Sequence, residues 1–498
     1  MVSESAELLV AAARAVAQER RPPSLPSAVS QAGGRPAHVV TSGSRLHFIG
    51  IGGIGMSGLA TICLERGCVV SGCDAKLNLL MRRLQEQGAQ IAVGHHPDHM
   101  AEGGADLVIY SSAVSLQEPE LVDARARGMA TISRGELLAA LTAEQSLIAI
   151  AGAHGKTTTS GMASELLLCA NWDPTVVLGG ISLSIGTNAR FGRGAYVVAE
   201  TDESDGSFLH LSPQIAIVTN IDREHVNYYR TFDRLIEAFT AFVRRLDPEG
   251  TLICCADDPL IREHLQHPTQ IRYGFSSEAD VLAQRVSLNG HGSQFHASWK
   301  GRQLGAFTLR VPGRHNILNA LSVISLGLAL DIPLVTVREA LAHFEGTGRR
   351  FQVLQVPGDI WLVEDYAHHP SEIQATLAAD VVDGRHRIAV FQPHRFSRTQ
   401  LLEQEFTRCF DRADGVIITD IYAAFEPPIP GVSGERLATL LKERGHPCVR
   451  YVPKSDLSSF ISRIARAGDT IFFLGAGDIG EMCHDLAARL YAPGRIAR

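Results

Sequence analysis

No apolar run in this 498-residue chain reaches the roughly 18–20 residues that a bilayer span requires. Its nine cysteines include no C-x-x-C pair, and the only adjacent two, Cys254 and Cys255, lie in an apolar, strand-like run. That usage argues against a zinc site or a disulfide framework and reads as reduced, buried thiols in a cytoplasm. The first residues lack the basic-then-apolar order of a secretory leader, which supports the same cytoplasmic expectation. A strong excess of one charge is missing too. Lys and Arg number 46 against 53 Asp and Glu, a net −7 that argues against a nucleic-acid-coating surface. Solenoid-type repeats are absent. What is present is an ordinary globular composition, 45% hydrophobic and 20% charged, over a length that suits three domains.

The expected fold class is α/β, as three consecutive domains behind an N-terminal extension and linker at 1–43. In that extension, 6–21 reads as a short alanine-rich helix and Arg21-Pro-Pro-Ser-Leu-Pro26 as linker. A first domain, 44–142, opens with a strand at 46–49, the turn Gly50-Ile-Gly-Gly-Ile-Gly55 and a helix from Met56. Strands at 69–73, 107–110 and 130–133 then alternate with helices, the rhythm of a doubly wound parallel sheet. The second domain, 143–346, repeats that rhythm with strands at 147–151, 195–200, 215–220 and 251–256. From 279 to 310 the pattern turns to period two, which predicts small antiparallel strands, and a long helix is expected at 316–330. The third domain, 347–498, carries strands at 361–365, 387–391, 415–420 and 470–474.

The residues with chemical potential stand at strand ends. After 147–151 come Gly152, His154, Gly155, Lys156 and Thr157, opening a helix. Glycines there let backbone N–H groups face phosphate, the helix N-terminus adds positive potential, and the lysine offsets charge on a triphosphate. The match to G-x-x-x-x-G-K-S/T is incomplete, because its first glycine falls on Ile150; alone, the run also fits an ordinary strand–helix turn. Gly50, Gly52 and Gly55, with Asp74 closing the next strand, fit the dinucleotide fingerprint, yet the same turn accepts any pyrophosphate, including that of a nucleotide-diphosphate substrate. Glu200, Asp202-Glu-Ser-Asp205 and Asn220-Ile-Asp-Arg-Glu-His225 follow neighbouring strands and suit Mg²⁺ around ATP. Asn316 and Asn319 share one helical face and offer the donor and acceptor that adenine's edge requires; an N-cap with an exposed Asn fits them equally. Asp365-Tyr-Ala-His-His-Pro370 and Gln392-Pro-His-Arg-Phe-Ser-Arg398 read as a carboxylate- or phosphate-binding patch.

Taken in order, His47-Phe-Ile-Gly-Ile-Gly-Gly-Ile-Gly-Met-Ser57, the Gly-x-His-Gly-Lys-Thr-Thr turn, Asp202-Glu-Ser-Asp205, Arg314-His-Asn-x-x-Asn-Ala320, Gly348-Arg-Arg-Phe351, Asp365-Tyr-x-His-His-Pro370, Phe391-Gln-Pro-His-Arg-x-Ser-Arg-Thr399 and Gly475-Ala-Gly-Asp-Ile479 resemble the Mur ligases of peptidoglycan synthesis. The resemblance covers about residues 45–490. It implies a Rossmann-like UDP-binding domain, a P-loop-type ATPase domain and a Rossmann-like C-terminal domain. It implies ATP and Mg²⁺ as cofactors, UDP-N-acetylmuramate and L-alanine as small-molecule substrates, and an acyl phosphate between them, with no nucleic acid and no membrane insertion. By the same resemblance, Gly50, Gly52, Gly53, Gly55, Asp74, Ser111 and Ser112 hold the UDP substrate. Gly152, His154, Gly155, Lys156, Thr157, Thr158, Asn316 and Asn319 hold ATP. Thr157, Glu200 and His225 hold metal, with Glu203 an open alternative to Glu200. Lys156, His225, Arg350 and Asp365 are catalytic, and Tyr366, His368, Arg395 and Arg398 seat the amino acid.

Departures from the family pattern exist. Glu224-His-Val-Asn227 stands where many relatives carry Asp-His-x-Asp. Several family members use a carbamoylated lysine beside magnesium, but no lysine occurs between Lys156 and Lys300, which fits the alanine-adding branch. A neighbouring ligase that attaches a whole tripeptide is the nearest alternative; a dehydrogenase would leave Lys156 and His225 without a role. Because the implied site residues lie on three domains, closure is expected about Glu345-Gly-Thr-Gly-Arg349.

Overall fold

The computed structural model describes residues 40–100, 104–289, 292–379, 384–424 and 426–491. The helix expected at 6–21 and the rest of the extension before residue 40 lie outside them, as does the side chain of Asn227.

Three sheets follow one another along the chain. The first contains β1 (Arg45–Ile49), β2 (Val69–Asp74), β3 (Gln90–Val93), β4 (Leu107–Tyr110) and β5 (Thr131–Ser133), all parallel in the order β3-β2-β1-β4-β5. The order reverses beside β1, so the turn after β1 opens at the switch point where such sheets bind ligands. That turn leads into α1 (Ile54–Glu65), which no side chain caps. The helix α2 (Pro119–Ala126) lies further along the same unit.

The second sheet has ten strands: β6 (Ser146–Ala151), β7 (Thr175–Val177), β8 (Ala189–Arg190), β9 (Tyr196–Glu200), β10 (Ile215–Val218), β11 (Thr251–Cys255), β12 (Gln270–Gly274), β13 (Val281–Asn289), β14 (Gly292–Trp299) and β15 (Arg302–Leu309). Their order is β15-β14-β13-β12-β11-β10-β6-β9-β7-β8. Every residue of β6 is buried, as a parallel strand covered on both faces demands. From β6 the chain turns through Gly152 and Gly155, both at positive φ, into α3 (Lys156–Cys169). The expected period-two strands pair antiparallel as β13, β14 and β15 and extend this sheet, joined through the parallel β12–β13 pair. The helix α4 (Arg314–Ala329) begins two residues before the expected start.

The third sheet, β16 (Gln352–Val356), β17 (Ile360–Asp365), β18 (His386–Phe391), β19 (Gly415–Ile418), β20 (Val449–Tyr451) and β21 (Asp469–Leu474), runs β16-β17-β21-β18-β19-β20 with only β16 antiparallel. Its helix α5 (Pro370–Ala378) follows β17 directly. Separate apolar clusters cover its two faces, whereas one continuous cluster runs from the first sheet into the second. Among the described residues no helix is long and apolar enough to cross a membrane.

The strand expected at 215–220 stops at Val218, and the reason is local. Thr219 Oγ1 donates to His154 O at 2.7 Å and Asn220 Nδ2 to the same oxygen at 3.0 Å, while His154 N donates to Asn220 Oδ1 at 2.8 Å. The side chains of these last two residues clamp the loop before α3, while the Thr219 N–H still reaches β6, at Ala151 O.

Candidate active site

The loop after β6 requires its glycines. A Cβ on Gly152, whose φ is +134°, would lie 2.0 Å from Thr219 Oγ1, and one on Gly155 would lie 2.6 Å from Asn319 Oδ1. Lys156 follows, largely buried. Its Nζ pairs with Glu203 Oε1 at 2.8 Å and donates to the carbonyls of Gly152 and Ala153. Burial opposes its charge, but Glu203, with Glu200 and Asp202 beyond it, holds its pKa above the ordinary lysine value.

The acids divide into two groups. Glu200 accepts from Thr157 Oγ1 at 3.0 Å and from Gly179 N at 2.7 Å. Burial pushes its carboxyl above the usual range, with Lys156 and the two donors opposing. Glu203 and Glu224 instead flank His225, each carboxylate 3.3 Å from Nε2, and one atom from each of the three lies within 4.8 Å of the others. Burial works against charge on His225, yet the two acids raise it to about 9, so it is a cation at neutral pH. The set Thr157, Glu200 and His225 is therefore not one cluster: Thr157 and Glu200 are hydrogen-bonded, and His225 belongs with Glu203 and Glu224. Glu203 Oε2 and Glu224 Oε1 are buried without a hydrogen-bond partner, Arg398 Nη2 approaching the latter only to 3.7 Å.

A cavity between the second and third sheets is lined by His154, Thr157, Thr158, Asn316, Asn319, Arg350 and Asp365, among others. Asn316 Nδ2 donates to Pro312 O at 2.7 Å, and Asn319 Nδ2 donates to Asn316 Oδ1 at 3.2 Å, so both are buried and mutually ordered. Arg350 lies over the Tyr366 ring, 4.9 Å from its centroid, and 3.5 Å from Glu372. Asp365 accepts from Phe351 N at 2.9 Å and Ala367 N at 2.7 Å; burial lifts it to about 6, with Arg350 and these donors opposing. Both of its oxygens thus anchor the chain where the third domain begins. His315, a lining residue that sequence patterning passed over, stays neutral because burial, with Arg350 adding, lowers it to about 4.

Side chains of the third unit reach the second. Ser371 Oγ donates to Asp222 Oδ2 at 2.7 Å, His154 stands between Asp222 at 2.9 Å and Glu372 at 3.3 Å, and Arg398 lies 3.7 Å from Glu224. His368 packs between Tyr366 and His394, with ring centroids 5.3 and 5.6 Å away, and burial lowers it to about 4. Burial, with the charge of Arg398 adding, keeps His394 neutral, and Arg398 Nη1 donates to its Nδ1 at 3.1 Å. Arg395 stands at the N-cap of the next short helix with φ +69° and is exposed, its charge adding to those that hold His394 neutral.

In the first unit, the Gly52 N–H donates to Asp74 Oδ2 at 2.9 Å and Ala75 N to its Oδ1 at 2.7 Å, so Asp74 stiffens the turn. Ser111 packs on Gly50, its Cβ 3.0 Å from where a Gly50 Cβ would stand, while Ser112 is exposed at the adjoining loop. Gly53 is the N-cap of α1. Arg134, absent from the sequence reading, touches the Gly55 position and binds Asp202 at 3.0 Å and Asp205 at 3.4 Å, bridging the turn to the acids. An arginine at a helix start carries no spacing signal, which is why patterning missed it.

A phosphate-type loop at a helix N-terminus, a pyrophosphate-type turn, and arginines from a third unit facing buried acids define a multidomain α/β nucleotide-using enzyme. Three family models match in succession: the Mur ligase family catalytic domain at 45–146, the Mur ligase middle domain at 150–327 and the Mur ligase glutamate ligase domain at 349–477. The chain belongs to the Mur ligase family. It is 45% identical over 466 residues to the UDP-N-acetylmuramate–L-alanine ligase of Sorangium cellulosum, covering 92% of this chain and 97% of the relative. The enzyme of the same name from Syntrophotalea carbinolica is 43% identical, covering 89% and 97%. Among solved structures, the UDP-N-acetylmuramate–alanine ligase of Thermotoga maritima matches with a TM-score of 0.77 and 31% identity, over 89% of this chain and 98% of that one. A murein peptide ligase from Psychrobacter arcticus, at 23% identity and a TM-score of 0.68 over 91% and 100%, shares the fold.

Proposed function

We propose that the chain is an ATP-dependent ligase that joins L-alanine to the carboxylate of UDP-N-acetylmuramate in peptidoglycan precursor synthesis. The observation that carries this reading is the set of relatives of that name, 43–45% identical over about nine-tenths of the chain. The carboxylate oxygen attacks the γ-phosphorus of ATP, the bond to the β-phosphate oxygen breaks, and ADP leaves. The resulting acyl phosphate is attacked by the uncharged amine of alanine; the carbon–oxygen bond to phosphate breaks, and the amine's proton is lost to solvent.

Each residue has work suited to those steps. Lys156 and the loop N–H groups offset charge building on the transferred phosphoryl group. Lys156 now faces Glu203 and two loop carbonyls, so bound triphosphate competes with them for its protons. Arg350, fixed over Tyr366, is the cation beside the cavity from the third domain. Asn316 and Asn319 suit the base of ATP. His154, held as a cation, ties the loop to Asp222 and Glu372. Arg398 suits the carboxylate of alanine, and the neutral His368 and His394 add no charge to repel an incoming ammonium. The Gly50–Gly55 turn, with Ser111 and Arg134 beside it, suits the UDP pyrophosphate.

Mg²⁺ fits two donor sets of hard oxygens: Thr157 Oγ1 with Glu200 in one, and the buried Glu203 Oε2 and Glu224 Oε1, neither with a hydrogen-bond partner, in the other. His225 qualifies as a ligand only after losing the proton its two acids retain. Bound there, the ion would supply further positive charge against the triphosphate.

A heavy-oxygen label placed in the carboxylate of UDP-N-acetylmuramate tests the acyl phosphate. The label should appear in released phosphate during turnover with L-alanine. Phosphate free of label would overturn this route.

A further inference from the structure

Behind the Gly50–Gly55 turn, away from the acids of the second sheet, lies a cluster that the ligase reaction leaves unused. Glu120, in the first turn of α2, is fully buried, and so is Cys73 near the end of β2. Cys73 Sγ lies 2.8 Å from Glu120 Oε2 and 3.0 Å from His95 Nδ1, and His95 Nδ1 lies 3.6 Å from the same carboxylate. On the other oxygen, His99 Nδ1 stands 3.3 Å from Glu120 Oε1, a buried nitrogen with no hydrogen-bond partner. His47 Nε2 donates to Glu120 Oε1 at 3.0 Å while its Nδ1 accepts from Ser71 Oγ at 2.9 Å. One atom each from His47, Cys73 and Glu120 falls within 4.8 Å of the others.

We infer that Cys73 Sγ, His95 Nδ1 and the Glu120 carboxylate, with His99 Nδ1 on its other oxygen, form a structural site for Zn²⁺ or a cation of the same class, with His47 positioning Glu120. One thiolate, two imidazoles and one carboxylate make a borderline-soft set that favours Zn²⁺ over Mg²⁺. Around a tetrahedral zinc such ligand atoms stand roughly 3.3–3.6 Å apart, so the tightest pair, Cys73 and Glu120, needs to open by roughly 0.7 Å. Burial, with Glu120 adding, pushes the Cys73 thiol well up, and binding therefore releases a proton to solvent. His47 is the outer partner that fixes a ligating carboxylate. The ion has a mechanical consequence. Cys73 O accepts from Gly50 N at 2.9 Å and Ile51 N at 3.0 Å, so a metal on Cys73 braces the substrate turn itself. Sequence spacing concealed the set, because its members come from a strand, a loop, the short 3-10 helix Pro97–Met100 and a helix start, with no C-x-x-C between them. The competing account is a closed hydrogen-bond network that takes no metal.

Titrating the full chain, first stripped with a chelator, with Co²⁺ separates the two. The site predicts a thiolate-to-cobalt charge-transfer band saturating at one molar equivalent, displaced by Zn²⁺ and unaffected by a large excess of Mg²⁺. The Glu203–Glu224–His225 cluster contains no cysteine and cannot give that band. Cys73→Ser should abolish it, whereas Cys169→Ser, altering the thiol beside Glu165, should keep it. A wild-type protein that shows no thiolate band overturns the site whether or not the variants fold, and so does a band that survives Cys73→Ser.

Discussion

Lys156 is held by the Glu203 carboxylate and two loop carbonyls, so its removal changes both charge and turnover. Lys156→Ala takes away a cation acting on charge that develops in the transition state, and the loss of one such group costs about 10²–10³ in kcat. Near-normal phosphate release would sink the ATP-loop assignment; circular dichroism would show that the fold survives. His154 gives a pH signature. Burial opposes its charge, but Asp222 and Glu372 lift it to about 10, with Glu224 adding and His369 beside it kept low by burial. A group raised in the folded state stabilises fully below its unfolded pKa, roughly 6.5, and that share is lost as pH climbs toward about 10. Asp222 and Glu372 are depressed, so their share holds above roughly pH 4 and is lost on acidification. The difference in unfolding free energy between wild type and His154→Gln should therefore shrink from pH 6.5 to 10, and a constant difference would contradict a charged His154 paired with Asp222 and Glu372. At this scale the sequence showed the right residue types at strand ends but not their grouping. Whether Glu200 or Glu203 faces His225 depends on how the chain turns after β9, and no periodicity encodes that turn.

Elements with strong periodicity were legible, while short edge strands were not. The run 107–110 occurs as β4 with those bounds, and β1, β2, β17 and β18 differ from expectation by one residue. The strands β3, β7, β8, β12, β16 and β20 went unread: each has two to five residues, and four of the six, β3, β8, β16 and β20, sit at a sheet edge where apolar alternation weakens. The loops were better marked, because glycine is required where a Cβ has no room. Gly152→Ala would press a methyl on Thr219 Oγ1 at a φ that disfavours side chains, costing about 1–3 kcal/mol of stability and most ATP turnover. Thermal unfolding and phosphate release measure both. At the second junction, Gly346 has φ +102°, and Arg349 and Phe351 are also positive at +61° and +47°. Proline cannot adopt that φ, so Gly346→Pro should lower kcat on the order of tenfold to a hundredfold while nucleotide affinity changes less. Equal losses in both would place this segment in binding rather than in motion.

As a whole molecule, the ligase divides its site among three units whose contacts differ in kind. The first and second share one apolar cluster, whereas the third meets the loop of the second through Ser371–Asp222, His154–Glu372 and Arg398–Glu224. Polar contacts of that sort separate at low cost, so ATP and UDP-N-acetylmuramate together should compact the protein in solution scattering. An unchanged radius of gyration at saturation, alongside a fully active Gly346→Pro variant, would rule out closure. The most direct measurement of the central claim is ADP and phosphate release assayed with each substrate withheld in turn. Rapid release is expected only when ATP, UDP-N-acetylmuramate and L-alanine are all present, in step with new amide. Release that is independent of UDP-N-acetylmuramate, or a demand for a tripeptide in place of alanine, would contradict it.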